Sequence, residues 1–352
     1  MADAALKARN PEPGPAPPAA PPLSPPRRPV DQAAALGISE AEWLVTHAPG
    51  RVRRLKVRAR DLLPRLPALG PVMALTRNPF CVHEKEGAYG NIEVAGAMGL
   101  VLNHAIDLRL FLAHWVHLFA VETPLEGGGM RQSLQVFDSS GTAVHKIFAR
   151  EATDRTAWAA LVADLGEESP PGPIAVSPRP KPTPDRPDEA IAIETVRQRW
   201  AALRDVHDFF ALLREEEVGR LQAMRLAGPP YSRPVPVSAI EPLLEAAAAE
   251  GVPLMCFVGN RGCIQIHSGP VHRVVPAGPW LNILDPGFNL HLRIADVAHA
   301  FAVWKPQADS PVHSVELFAA DGTLVCQLFG ERKPGRPELP AWKRLVDSLP
   351  DA

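Results

Sequence analysis

Two stretches of this chain are related to each other, and an internal duplication restricts the fold to two copies of one design. Setting Phe119-Ala120-Val121 on Phe301-Ala302-Val303 brings Asn78 onto Asn260, Cys81 onto Cys263, Val82 onto Ile264 and Gly87 onto Gly269 at the same offset. After a slip of one residue, Phe137 meets Phe318, Gly141 meets Gly322 and Phe148 meets Phe329. Trp158 meets Trp342 near the end of each copy. Within each copy short strand-like runs flank turn chemistry: SSGT lies between LQVF and AVHKIF, and AADGT between VELF and LVCQLF. A closing helix follows. The expectation is an α+β protein of two tandem, similar halves, each an antiparallel sheet with helices, joined by a long helix and leaving a cleft between them.

Proline sets the boundaries. The chain has 40 prolines, concentrated in 11–29 and 170–187, where backbone donors are too few for regular structure. The expected organisation is a disordered tail over 1–30, a first repeat over 31–168, a linker over 169–190, a bridging helix over 191–235 and a second repeat over 236–352. Ser39 with Glu42 three residues on forms a capping box that starts a helix. Periodicity predicts further helices over 240–250 and 340–349. Arg51, Arg53, Arg54, Lys56, Arg58 and Arg60 alternate with apolar residues, as in a half-exposed strand.

Composition narrows the function classes. Of 352 residues 46% are hydrophobic and 22% charged, enough for cores of real size. The net charge of -2 gives no reason to expect nucleic acid or anionic lipid as a partner. No run reaches the ~18 apolar residues of a membrane span, and no signal peptide begins the chain, so a cytoplasmic location is expected. The four cysteines form no C-x-x-C pair, which removes zinc-ribbon and thioredoxin readings and, without C-x-x-C-H, covalent haem. Among 12 histidines there is no H-E-x-x-H; Walker, Rossmann and G-x-S-x-G patterns are missing too.

One histidine stands out. Val196, Trp200, Leu203, His207 and Phe210 recur at helical spacing, which places the His207 imidazole on an apolar stripe. A neutral imidazole there suits a transition metal or haem iron; the alternative is a hydrogen-bonded core histidine. Equivalent positions that differ chemically are also informative: Arg109 in DLRLF corresponds to His291 in NLHLR. Arg109 and Phe111 share one face of their strand, where Arg109 serves a ligand or pairs with Asp107.

The segments VMALTRNPFCVHEKEGAYGNI (72–92), IDLRLFLAHWVHLFAVE (106–122), WAALRDVHDFFALL (200–213), VGNRGCIQIHSG (258–269), GPWLNILDPGFNLHLR (278–293) and FGERKPG (329–335) together resemble the bacterial HemS/HmuS/ChuS family of haemin-transport and haemin-degrading proteins. They span nearly everything outside the tail and linker. The resemblance implies non-covalent haem b in a cleft, with His207 as iron ligand and Arg109 as a distal, catalytic candidate beside Phe111. It implies Arg220, Lys305 and Arg332 near the propionates and Phe257 in the pocket wall. Two departures stand out: Trp304 replaces an arginine, and Cys326 replaces an expected tyrosine, which weakens the hydrogen bonding expected at the pocket mouth.

The family implies a cytoplasmic protein of iron acquisition that accepts imported haem and degrades it or passes it on. Degradation would require an external reductant and dioxygen, since the chain carries no flavin or nicotinamide motif. The alternative is a non-catalytic chaperone that delivers haem to a separate oxygenase. A haem importer or a haem oxygenase is the protein partner implied, and the oligomeric state stays open between monomer and dimer. If His207 is not the ligand, His83, His104 and His291 are the candidates.

Overall fold

The computed structural model describes residues 28–48, 50–167, 171–181, 183–333 and 335–352. The expected tail lies outside these residues as far as residue 27. In the first repeat α1 (Pro29–Leu36), α2 (Glu40–His47), β1 (Arg51–Arg54) and α3 (Ala59–Leu62) precede β2 (Val72–Arg77) and β3 (Cys81–Gly87). Then come β4 (Ile92–Ala95), β5 (Met98–Leu102), β6 (Asp107–Phe111), β7 (His117–Pro124), β8 (Met130–Phe137), β9 (Ala143–Ala149) and α4 (Arg155–Leu165). Three helices follow, α5 (Ile193–Ala201), α6 (Asp208–Glu215) and α7 (Arg220–Ala227). The second repeat runs β10 (Ser232–Val235), α8 (Ile240–Ala249), β11 (Leu254–Gly259), β12 (Cys263–Gly269), β13 (Val274–Ala277), β14 (Trp280–Asp285) and β15 (Phe288–Leu292). It closes with β16 (Val297–Lys305), β17 (Val312–Ala319), β18 (Leu324–Gly330) and α9 (Pro340–Asp347).

The fold is α+β and duplicated, as expected, but the copies are interwoven. One sheet has the order β1-β7-β8-β9-β2-β3-β15-β14-β13 and the other β10-β16-β17-β18-β11-β12-β6-β5-β4. Each repeat therefore hands three strands to its twin's sheet. The joints are equivalent: Cys263 pairs with Leu110 and Ile264 with Arg109, while Cys81 pairs with Leu292 and Val82 with His291. Apolar residues of both sheets fill the space between them in two cores. Leu281, Ile283 and Leu290 of β14 and β15 join the core of α8 and α9; Val101, Leu108 and Leu110 join that of the first repeat. Expecting one self-contained sheet per repeat is thus incorrect, because pairing with the twin extends both sheets and covers their inner edges.

Two asparagines hold the crossing. Asn78 donates from Nδ2 to Gly259 O (3.3 Å) and Val325 O (2.8 Å), and its Oδ1 accepts from the N–H groups of Phe80 and Cys81 at 3.0 and 2.9 Å. Its twin Asn260 donates to Arg77 O (2.9 Å) and Val144 O (2.8 Å) and accepts from Gly262 and Cys263 at 2.9 and 3.0 Å. Each amide uses its full donor and acceptor capacity, half on its own turn and half on the other repeat. Gly262 is needed for this approach, since a Cβ there would stand 2.5 Å from Val144 Cγ1.

The capping box at Ser39 is present, with Glu42 N–H donating to Ser39 Oγ at 3.2 Å and Ser39 N–H to Glu42 at 2.8 Å. The basic strand stops at Arg54, and Ala59–Leu62 is helical instead. Ile174 in the proline-rich linker packs against the core of α2, so the described part of that linker runs along the fold.

The bridge is not one long helix over 191–235. Leu203 N–H reaches Trp200 O in a tight turn, and the Asp205 carboxylate accepts the His207 N–H at 2.9 Å, a side-chain competitor for the helical bond. Glu217, with φ of 49°, ends α6, and Gly219 precedes α7. The helical phase resets between α5 and α6. Phe209 and Leu212 are buried with Trp200, while Phe210 and His207 are exposed.

Inside the fold, His145 is fully buried between Thr76 (2.8 Å) and Tyr89 (2.6 Å), and burial drives its pKa down to about 3. His267 accepts from Lys85, its own repeat-equivalent position, at 2.8 Å, and burial followed by the Lys85 charge lowers its pKa to about 3. Both imidazoles are neutral in the fold and take protons more readily unfolded, so their contribution is present above about pH 6.5 and is lost on acidification toward pH 3. A urea-stability profile should therefore fall by up to about 1.4 kcal/mol per pH unit per histidine in that window. His145→Gln should flatten it, and an unchanged slope would refute the assignment. Asn78→Ala should cost about 3 kcal/mol by leaving buried backbone groups unpaired, read as a lower urea midpoint; a loss under about 0.5 kcal/mol would contradict the bracing role.

Candidate functional site on the outer face of the second sheet

Strand exchange gathers the site. Across the second sheet Glu316, Gln327, Phe257, Ile266 and Asp107 form one row of cross-strand partners, and Ile264 and Arg109 lie in another on the same outward face. Arg109 and Phe111 thus come from the first repeat and Phe257 from the second. Phe257 packs on Phe329 with ring centroids 4.9 Å apart. Helices α5 to α7 cover the neighbouring part of this face, where Trp200, Phe209 and Leu212 bury Phe301, Val303 and Phe318.

His207 is the N-cap of α6, and its side chain is 81% exposed. This corrects the expectation of an imidazole on an apolar helical stripe: the helix break turns it outward. Its Nδ1 lies 2.6 Å from Asp205 Oδ1. A carboxylate only accepts, so Nδ1 carries the proton and Nε2 keeps a free lone pair, the arrangement in which an outer carboxylate aims a metal-binding histidine. Hydrogen bonds from the His207 backbone and ring hold the Asp205 carboxyl below its ordinary pKa, with Arg332 adding a smaller effect. Arg332 donates to Gln307 at 3.0 Å, and Asp205 and Arg332 act on each other electrostatically. His207, Asp205 and Arg332 therefore share one neighbourhood.

Arg220 forks onto Glu316 at 2.7 and 2.9 Å, and Lys305 reaches the same carboxylate at 2.7 Å. Burial opposes a charge on Glu316, but Arg220 and Lys305 outweigh it and hold the carboxyl below its usual range. Lys305, only 3% exposed, is an internal ion-pair partner rather than a free cation at a rim. Arg220 differs: its guanidinium lies 5.3 and 5.4 Å from the Phe209 and Phe210 ring centres, and its buried Nη1 has no partner.

Arg109 pairs with Asp107 and donates to Leu108 O at 3.4 Å, so the ion-pair reading of this residue holds. It remains partly exposed, and no hydrogen bond or ion pair joins it to His207 among the described residues. Cys326 is not at a pocket mouth; it is buried beside Cys81 and Cys256 in the core. His83 is buried as well, with both ring nitrogens unpartnered. Sequence reasoning missed Asp205 and Glu316. Asp205 was detectable two residues before His207, whereas Glu316 reads as a polar position in an ordinary strand.

Two stretches, 37–165 and 217–349, match the family described as the Haemin-degrading HemS.ChuX domain. The chain belongs to the HemS/ChuX family. It is 40% identical over 321 residues to the hemin transport protein HmuS of Yersinia pestis, covering 91% of this chain and 92% of that protein. Its fold is similar to that of holo-PhuS, a heme-binding protein from Pseudomonas aeruginosa, with a TM-score of 0.90, 43% identity and coverage of 93% and 95%. It is also similar to ChuS, an E. coli heme oxygenase, with a TM-score of 0.82, 39% identity and coverage of 91% and 95%. The match in two stretches follows the duplication. Glu316→Gln should leave Arg220 and Lys305 facing each other without a counter-charge and cost about 3–5 kcal/mol in chemical unfolding. A change below about 1 kcal/mol would mean that the triad does not anchor this HemS/ChuX face.

Proposed function

We propose that this chain binds haem on the outer face of the second sheet, as a protein of iron acquisition. The observation that carries the reading is His207: an exposed imidazole with its tautomer set by Asp205 and a free Nε2, beside an aromatic face that also holds Arg220, whose buried Nη1 has no hydrogen-bond partner. Haem needs these three things, an axial nitrogen, an apolar wall and a cation for its carboxylates. In this reading Nε2 of His207 holds the iron, Phe257 and Phe111 supply the wall, and Arg220 and Arg332 serve the propionates. Lys305 acts indirectly by keeping Glu316 ionised and Arg220 in position.

In this reading Arg109 is the distal group. A guanidinium is a donor at every physiological pH, so it can hold water or polarise an oxygen ligand without a protonation step. Ring opening is the reading favoured by relatives described as a heme oxygenase and as belonging to a haemin-degrading family, and it needs electrons from an external reductant together with dioxygen. A carrier that passes haem to a separate oxygenase is the second reading, in keeping with a relative described as a transport protein. No helix among the described residues is long and apolar enough to cross a membrane. The reading places the chain in the cytoplasm, taking haem from an importer.

Because its side chain is exposed, His207→Ala should leave stability within about 0.5 kcal/mol, yet weaken ferric haem binding by about tenfold or more and change its spectrum. An unchanged spectrum would remove His207 as the ligand. Arg109→Ala should alter the sixth-ligand signature more than the affinity. Incubating the haem complex with ascorbate and catalase separates the two readings: loss of the Soret band with iron release supports degradation, while a stable band with transfer to a second protein supports the carrier.

A further inference from the structure

Arg109 and Asp107 form a charged pair inside an otherwise apolar part of the second sheet's outer face. Arg109 lies between Leu100 of β5 and Ile264 of β12, and Asp107 lies between Leu102 and Ile266 of the same two strands. No charged side chain therefore stands directly across from either residue. Each is the other's only ion-pair partner among the described residues. Beyond Ile266 the next residue of the row is Phe257, two strand spacings or about 10 Å from Asp107.

The pairing decides how the arginine is held. Residues two apart on a strand share a face and are separated by about 6.8 Å along it, so a guanidinium that reaches Asp107 must fold back along β6. Nη1 does this, donating to the Asp107 carboxylate and to Leu108 O at 3.4 Å. Nε and Nη2 make no hydrogen bond among the described residues, which leaves the other edge of a rigid planar fork as its free donors. Without the carboxylate, a long and partly exposed side chain between two apolar neighbours has nothing to hold it and turns to water. The twin face supports the same assignment. There the wall is Leu75 and Phe148 in place of Phe257 and Phe329, His291 stands where Arg109 does, and Asn289 stands where Asp107 does. His291 Nδ1 lies 2.8 Å from Asn282 Oδ1 instead. The carboxylate thus occurs at this position only in the repeat that has a guanidinium to hold.

We propose that Asp107 is a positioning residue for Arg109: it fixes the guanidinium along β6 so that its free edge meets an anionic or oxygen ligand on the haem iron. The inference rests on the haem reading of this face, with Arg109 on the distal side. The probe is fluoride, a small anion that binds ferric iron and accepts hydrogen bonds. It is titrated into the ferric haem complexes of the full chain and its variants and read by visible absorbance, with unfolding midpoints and haem affinity measured alongside. Arg109→Ala should weaken fluoride binding about tenfold, the value of one hydrogen bond from a charged donor. Asp107→Ala should fall within about threefold of Arg109→Ala, and the double variant should be no weaker than Arg109→Ala alone, because the carboxylate acts only through the arginine. Asp107→Glu should recover most of the parent's affinity, and the near-isosteric Asp107→Asn, which offers a neutral acceptor, should lose about threefold. Fluoride held as tightly or more tightly by both Asp107→Ala and Asp107→Asn, alongside a loss in Arg109→Ala, overturns the inference and spares the haem reading; a carboxylate that merely repels anions gives that result. Additive losses in the double variant overturn it as well. Fluoride binding indifferent to Arg109→Ala, or no haem uptake by the parent chain, overturns the distal placement itself and this inference with it.

Discussion

The reciprocal embrace of Asn78 and Asn260 is the constraint on which the rest of the structure depends. Each amide closes its own hairpin turn through Oδ1 and grips two carbonyls of the opposite repeat through Nδ2. The two turns are thereby locked back to back at the point where strands cross between sheets. Backbone carbonyls buried at such a crossing have no access to water, so a side chain must satisfy them. A four-contact amide does this, next to the exchanged pairs β3–β15 and β12–β6, whose register sets His291 on Val82 and Arg109 on Ile264.

That register has a direct chemical consequence. Had each repeat kept its own strands, Arg109 would stand over Leu75 and Phe148, and His291 over Phe257 and Phe329. Exchange reverses the assignment, so each outer face combines a wall from one repeat with a polar group from the other. The faces differ further in what anchors them. Glu316 from a strand holds Arg220 and Lys305 on one side, whereas Glu40 from a helix holds Arg77 and Lys146 on the other. In both, a buried carboxylate fixes two cations, and the energetic value of such an arrangement depends on every member being paired.

The interior shows how a duplicated core diverges without losing its packing. His145 and Cys326 occupy equivalent strand positions, one in a polar group with Thr76 and Tyr89, the other among Cys81 and Cys256. Lys85 and His267, equivalent positions themselves, meet at the centre, and His267 stacks on Phe288 at 3.8 Å. Side chains on the axis of a duplication face their own counterparts. Two lysines or two histidines there would leave like groups opposed, and unequal replacement lets one donate to the other.

The sequence by itself determined the duplication, the strand and turn chemistry of each copy, the capping box, the closing helices and the family, because these are written in residues close together or in residues matched one for one. It also pointed to Asn78, Asn260 and the Arg109–His291 divergence, as equivalences without geometry. Only the tertiary structure decided which repeat's strands share a sheet, since hydrogen-bond pairing between distant strands leaves no local pattern and both arrangements satisfy the same alternation. It likewise decided the fate of His207: five residues of apolar spacing describe a stripe only while the helical phase persists, and Asp205 breaks that phase by claiming a backbone N–H. Lys305 shows the same limit, for a lysine at a strand end reads as solvated until the carboxylate of Glu316 on the neighbouring strand pairs with it.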